Sequence, residues 1–348
     1  MGKTKILVGG AGGSAGTNFI QSLRLAKEDF YIVGNDSSKY YAKLSKADKT
    51  YVLPLCNSLN YIPALIELID KEKIDIVHAQ PDPEVKVISD NRDLIPAKIF
   101  LPSKEAINIA QDKYLFVKKM ESECVSVPKT VRFKTPSGLK VYLEHAEGKS
   151  WLRASKGAGS LAALPVTNYE QAYMWIEYWR TKGLEWEDFI ISEFLPGKEY
   201  AFQSLWKDGK LITSAARERI EYLFQARMPS GQSSTPTIAK SVHNELVNFH
   251  AMRAVKALDE NATGVFCVDL KEDKHGVPNV TEINAGRFFT TSLFFSKAGC
   301  NMPYYYIKLA LGEDLGSEFL PPFNAVGEDL YWIRQIDCRQ VLIHEREL

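Results

Sequence analysis

Cysteine is scarce and unpaired. Cys56, Cys124, Cys267, Cys300 and Cys338 are an odd number, widely spaced, with no C-x-x-C pair. A disulfide framework and a structural zinc are therefore not expected, and a reducing, cytoplasmic setting is. Long hydrophobic runs are also missing: no stretch approaches the roughly 18 apolar residues of a membrane span. Gly2 invites a myristoylation pattern, but Ile6 stands where Ser or Thr is needed. A strand beginning at Lys5 leaves no signal peptide to expect. Excess charge is absent as well, since 43 basic residues balance 43 acidic ones. That argues against nucleic acid or an anionic membrane as a partner. The six histidines show no metal-ligand spacing, and there is no repeat or low-complexity segment.

What is there is an ordinary globular composition, 45% apolar and 25% charged over 348 residues, enough for two or three compact units. The first hundred residues alternate strand and helix: Ile6–Val8, a glycine-rich turn, a helix through Phe19 and Leu23, then Tyr31–Gly34, Tyr51–Leu55, Tyr61–Lys71, Ile74–Ala79 and Lys98–Leu101. This α/β rhythm predicts a parallel sheet covered on both faces. Helices at Lys104–Ala110 and Asp112–Glu123 follow, then a small α+β unit ending at Phe194. Beyond Pro196 strands dominate (Tyr200–Trp206, Leu211–Arg217, Gly264–Lys271, Val277–Ile283), with one helix expected over Lys240–Asp259. Lys207-Asp208-Gly209-Lys210 is a hairpin signal.

The opening supports two functions. Gly10-x-x-Gly13-x-x-Gly16 after a strand, with Asp36 ending the next, satisfies a dinucleotide fingerprint. Tyr114-x-x-x-Lys118 after Ser103 follows the order of short-chain dehydrogenases, so an NAD(P)-dependent oxidoreductase is one reading. The plainer reading is that any strand–turn–helix needs glycines for packing.

The second half favours another chemistry. Glu282 and Asn284, two apart on one strand, share a face, and Asp269 on the partner strand can lie across from them. Two carboxylates and an amide oxygen make a hard oxygen site suited to Mg²⁺. The alternative is a solvated acidic pair on a sheet edge. In this context the chain resembles the ATP-grasp superfamily, most closely its carbamoyl-phosphate-synthetase-like branch of carboxylate–amine ligases. The likeness runs from the first strand to about Gly312. Asp269, Glu282 and Asn284 match the family's metal positions. Asp112-Lys113-Tyr114 with Val127-Pro128-Lys129-Thr130 is similar to its "DK … G-x-P-x-P" segment, whose lysine, here Lys113, contacts ATP phosphate. Trp151-Leu152-Arg153-Ala154 is similar to the "V-V-K-P" strand, with Arg153 replacing the second phosphate-binding lysine and Ala154 replacing Pro. The turn from Lys156 through Gly157, Gly159 and Ser160 to Ala162 resembles the glycine loop over the phosphates. Glu193-Phe194-Leu195 through Glu199 resembles the hinge that reads adenine and ribose, with the acids six positions apart where in several relatives they are seven apart.

The resemblance implies ATP-grasp architecture: a Rossmann-like N-terminal domain over 1–102, a helical linker and small α+β lid over 103–195, and a C-terminal mixed-sheet α+β domain over 196–348. It implies ATP with two Mg²⁺ ions (Mn²⁺ could substitute), and activation of a carboxylate as an acyl phosphate for attack by an amine or thiol. Arg287 is the family's phosphate- or carboxylate-binding arginine, one residue later than in "E-x-N-P-R", and with Arg153 it is the catalytic candidate. Arg217, Arg219 and His78 are substrate candidates, for a small anionic carboxylate. Strand-end salt bridges of Arg217 and Arg219 with Glu218 or Glu221, and packing of His78, are the structural alternatives. A homodimer and a non-catalytic ATP-binding protein remain open at this point.

Overall fold

The computed structural model describes residues 2–157, 159–233, 235–315, 320–336 and 341–347. Strands β1 (Lys5–Val8), β2 (Tyr31–Asp36) and β3 (Lys49–Val52) alternate with helices α1 (Ser14–Arg24) and α2 (Tyr61–Glu72); β4 (Ile76–His78), α3 (Asp82–Asp90) and β5 (Lys98–Ile99) complete the first unit. Its five strands are parallel in the order β3-β2-β1-β4-β5, as right-handed crossovers from alternating strands and helices require. Helices α4 (Lys104–Ala110) and α5 (Lys113–Ser122) follow, capped by Ser103 and Asp112, whose side chains accept from N–H groups of the first turn.

A second, four-stranded sheet comprises β6 (Thr130–Arg132), β7 (Ser150–Ala154), β8 (Leu164–Val166) and β9 (Phe189–Glu193), with helices α6 (Pro136–His145) and α7 (Tyr169–Arg180). The third sheet begins with the long hairpin β10 (Glu199–Lys207) and β11 (Lys210–Tyr222), turning at Asp208-Gly209 as the sequence suggests. It adds β12 (Pro236–Val242), then α8 (Glu245–Leu258), β13 (Gly264–Glu272), β14 (Pro278–Ala285), α9 (Ser292–Lys297), α10 (Met302–Leu311), β15 (Leu330–Ile333) and β16 (Val341–His344). Every pair in this seven-stranded sheet is antiparallel, simpler than the mixed sheet anticipated.

One expected element needs correction. The helix expected from Lys240 begins at Glu245, because Asn244 caps it by accepting from Leu246 and Val247 N–H. Lys240 and Ser241 belong instead to β12, whose residues alternate between deep burial and partial exposure between β11 and β15. After His78, Pro81 precedes α3, with Asp82 and Glu84 in its first turn. Cys56, Cys124, Cys267 and Cys300 are free thiols, and Cys338 lies outside the described residues. No helix among the described residues is long and apolar enough to cross a membrane.

The first and third sheets share their cores. Leu7 and Val33 belong to one cluster with Tyr200, Phe202, Phe266 and Val268, while Ile6, Val8 and Ile32 join Ala201, Leu205, Val265 and Cys267 in another. Alternate residues of each strand thus feed opposite clusters. The four-stranded unit has a core of its own, built on Leu139, Leu152, Ile176 and Phe189.

His78 lies in the shared core. It has no exposed surface, stacks on Phe19 at 3.9 Å and meets Phe288 and Tyr306. Its Nε2 bonds Gln80 Oε1 at 2.9 Å, and burial lowers its pKa to about 4. This corrects the substrate expectation for His78: the ring packs two domains together. In the unfolded chain the imidazole titrates near 6.5, so the unfolded state binds the extra proton and stability falls as pH drops from about 6.5 to about 4. His78→Phe should flatten that acid limb, worth up to about 3 kcal/mol. Urea midpoints at pH 7 and pH 5 check it; equal pH dependence in both proteins would contradict it.

Candidate functional site

The site is a cleft between the four-stranded unit and one face of the seven-stranded sheet. Register aligns its residues. Arg217 of β11 lies opposite Ala201 of β10, Ala201 opposite Asp269 of β13, and Asp269 opposite Glu282 of β14. Directly opposed residues point to the same face, so these four form one row, and Cys267 and Asn284 pair in the row beside it. Arg219, paired with Glu199 one row on, reaches diagonally, its Nη2 2.5 Å from Asp269 Oδ1.

A β-bulge interrupts β14 between the partners of Asp269 and Leu270, at Thr281. Arg153 Nη2 donates to the Thr281 carbonyl at 3.1 Å and sits 3.7 Å from Glu282. Bulges re-aim side chains beside functional sites, and this one ties the two sheets together. Lys113 lies 3.5 Å from Glu282 and donates to the Gly157 carbonyl at 2.6 Å. Burial pushes the Glu282 carboxyl up, but Lys113, Arg153 and Arg287 outweigh it and hold it below its ordinary value. Asp269 goes the other way: burial dominates, Glu282 adds to it, and Arg219 offsets only part. Asn284 Nδ2 donates to Asp269 Oδ2 at 3.3 Å. The candidate metal set is therefore together, two acids and an amide with cations around them. Among the described residues no set of three His, Cys, Asp or Glu side chains converges as a metal site.

Arg287 lines the cleft but is held by Asp82 of α3 and by Asn284 Oδ1. Burial opposes its charge and Asp82 outweighs it, so its proton is held more tightly than usual. Arg217 does not pair with Glu218 or Glu221. It is 1% exposed, with its guanidinium 4.6 Å from the Phe289 ring, and Nε and Nη1 have no acceptor. Glu218 pairs with Lys198 instead.

At the other end Trp151, Phe194, Leu195, Leu270 and Pro128 give the cleft an apolar floor beside Glu193. Glu199 also lines it, bonded to Lys271 at 2.5 Å and to Tyr222 and Gln232. Gly157, Gly159, Ser160 and Ala162 all adopt positive φ, and Gly157, Gly159 and Ser160 border the cleft. Backbone N–H groups in turns of this kind can form a concavity for anionic oxygen. Lys156 is not among the lining residues; its exposed ammonium lies 3.7 Å from Asp112. Tyr222, Gln232 and Thr290 also line the cleft, and no sequence motif signalled them.

The glycine-rich opening is self-occupied. Gly9, Ala11, Gly12 and Gly13 give their N–H groups to His78 O, Asn35 O, Asp36 Oδ2 and Gly10 O. The buried Glu84 carboxylate lies so close that a Cβ on Gly9 would be 1.8 Å from it. Asn35 and Tyr61 hold that acid at 3.1 and 2.5 Å. A pyrophosphate there would meet a carboxylate. Ser103 is spent on its cap and Lys118 on Glu121, so the dehydrogenase set is dispersed.

Residues 110–291 match the family model described as the ATP-grasp domain, and residues 6–98 match that of the PylC-like N-terminal domain. The chain belongs to the ATP-grasp family. No curated protein matches the sequence significantly. Among solved structures, L-amino acid ligase from Bacillus licheniformis superposes with a TM-score of 0.71 at 13% identity, over 95% of this chain and 79% of that one. The biotin carboxylase domain of Hydrogenobacter thermophilus 2-oxoglutarate carboxylase gives 0.72 at 15%, over 94% and 73%. N5-carboxyaminoimidazole synthetase from Staphylococcus aureus gives 0.68 at 14%, over 96% and 82%. At these identities the likeness is one of fold. With the family settled and the opening loop filled, the dehydrogenase reading has no support.

The Asp269–Arg219 pair gives a test independent of any ligand. Asp269→Ala leaves Arg219 uncompensated beside Arg217 and should destabilise the ligand-free protein by about 3 kcal/mol. Adding Arg219→Met should restore most of that loss. Urea unfolding of both variants measures it, and an undiminished loss in the double variant would show that the pair is not the cause.

Proposed function

We propose that the protein is an ATP- and Mg²⁺-dependent carboxylate–amine ligase of the ADP-forming type, acting on a small anionic acid and an amine or thiol. The observation that carries this reading is the meeting of Asp269, Glu282 and Asn284 with Lys113 and Arg153 in a cleft of the ATP-grasp family. The L-amino acid ligase of similar fold is by its name a joiner of amino acids, which agrees with it.

The donor set suits Mg²⁺, which prefers carboxylates and leaves positions for phosphate oxygens. Asp269, Glu282 and Asn284 would hold the ion or ions, which supply charge neutralisation to the triphosphate. Lys113 and Arg153 then release part of their hold on Glu282 and turn to phosphate oxygens; Arg binds such oxygens in bidentate fashion. The loop at Gly157–Ser160 offers N–H groups to the same anion. Phe194, Leu195 and Trp151 receive the flat base, with Glu193 and Glu199 at its polar edges. A carboxylate oxygen of the acid attacks the γ-phosphorus, and the bond to ADP breaks. The amine then attacks the acyl carbon, inorganic phosphate leaves, and one proton is lost from nitrogen. Arg287 faces the side where the acid and the transferring group meet. Most of the acceleration is positioning and charge stabilisation. The separately cored four-stranded unit acts as a lid that keeps water from the acyl phosphate.

A screen of acids paired with amines for stimulated ADP release tests the reading. Glu282→Gln should abolish most turnover even at saturating Mg²⁺, and Lys113→Ala should weaken ATP binding or slow phosphoryl transfer by roughly 10- to 150-fold. Wild-type rates in Glu282→Gln, or reduction of added NAD by any substrate, would overturn it.

A further inference from the structure

We propose that the acid bound in this cleft carries a second anionic group, a carboxylate or phosphate separate from the one that reacts, and that Arg217 is its receptor. The inference rests on the ligase reading for the reacting group but not for the receptor. Arg217 borders the cleft at 1% exposure with Nε and Nη1 lacking an acceptor. Its guanidinium lies 4.6 Å from the Phe289 ring and 5.6 Å from that of Phe295. Ring faces support a cation but do not replace the hydrogen bonds it loses on burial. Arg219 beside it is already matched by Asp269, so Asp269 is not free to serve both.

Arg334, at the end of β15, adds a second unmatched charge. It is 9% exposed and gives its donors to Pro236 O, Thr290 O and Thr290 Oγ1, all neutral. Among the described residues no carboxylate lies within 4.0 Å of Arg217 or Arg334, whereas Arg219 and Arg287 each have one. Burial and the neighbouring Arg219 pull the Arg217 pKa down to about 9, and burial pulls that of Arg334 to about 10. Both remain charged at neutral pH. A buried charge without a partner is costly, and an anionic ligand group is what removes the cost.

Position separates this receptor from the nucleotide. Across the sheet the order is Arg217, Ala201, Asp269, Glu282, and Arg153 contacts Thr281 next to Glu282. Arg217 is thus on the far side of the metal candidates from Arg153. Two strand spacings, about 10 Å, separate its backbone from that of Asp269. That span fits a short molecule with anionic groups a few carbons apart.

Calorimetry with Mg²⁺ and a non-hydrolysable ATP analogue tests the receptor, with glutarate and 3-phosphoglycerate as the probes bearing a second anionic group (the dianion class) and valerate as the monoanion. The wild type should bind at least one dianion about 10- to 150-fold more tightly than valerate, the worth of one charge-assisted contact. Which dianion wins distinguishes carboxylate from phosphate. Arg217→Met should close the gap, keep the affinity for the ATP analogue, and melt at or above the wild-type Tm, because an unmatched buried charge has gone. Arg217→Lys should retain part of the preference. Equal binding of all three probes overturns the proposal. So does a parallel loss of ATP-analogue affinity in Arg217→Met, or a lowered Tm with the preference intact. A dianion preference without ADP release for any acid and amine supports the receptor and overturns the ligase reading; ADP release with monoanions and no preference does the reverse.

Discussion

Everything at this site depends on the balance of buried charge across one sheet face. The row Arg217–Ala201–Asp269–Glu282 places a cation and two acids at strand spacing, with a methyl group between them. Ala201 stands between Arg217 and Asp269 in the register, while Arg219, paired with Glu199 one row on, reaches Asp269 diagonally. Because the pair closes, Asp269 tolerates burial next to Glu282. Because Lys113 and Arg153 come from outside the sheet, Glu282 tolerates it as well. The cations around these acids stand where a ligand's metal and phosphate would compete for the same oxygens.

That balance needs a rigid base, and the shared core supplies it. Each face of the parallel sheet continues into one face of the antiparallel sheet, so the row of charged residues cannot shift independently of the first unit. Gln80 makes the same join through hydrogen bonds, taking His78 Nε2 and donating to Phe288 O at 2.7 Å. Asp82, one turn of chain further, reaches Arg287. The four-stranded unit, with its separate core, meets the row mainly through polar contacts such as Arg153 to Thr281. Polar contacts exchange with ligand or water at small net cost, while a merged apolar core does not.

Residues defined by local pattern were legible in the sequence. Glu282 and Asn284 share a face by strand periodicity alone, and the pairing with Asp269 follows from the short turn between their strands. Lys113, Arg153, Glu193 and Glu199, singled out by motif order, all line the cleft. Long-range partners were not legible. Nothing in the sequence joins Arg219 to Asp269 across 50 residues, or Arg287 to Asp82 across 205. The β12 strand was misread because an apolar–polar alternation running straight into a capped helix reads as one helix when the cap at Asn244 is overlooked. His78 was misread for a related reason: the end of a parallel strand is where such sheets bind ligands, but here the neighbouring domain covers it.

Neutral overall charge conceals a strongly cationic cleft. Lys113, Arg153, Arg217, Arg219, Lys271 and Arg287 all line it, against Glu193, Glu199, Asp269 and Glu282. Part of that excess is used locally, with Lys271 held by Glu199 and Arg287 by Asp82. Those acids fix orientation and reduce the field without cancelling it. The charge left over is confined to a partly water-excluded space, where a given charge acts more strongly than on an exposed surface. The arrangement follows from topology: three antiparallel strand pairings in sequence set which charges share a face.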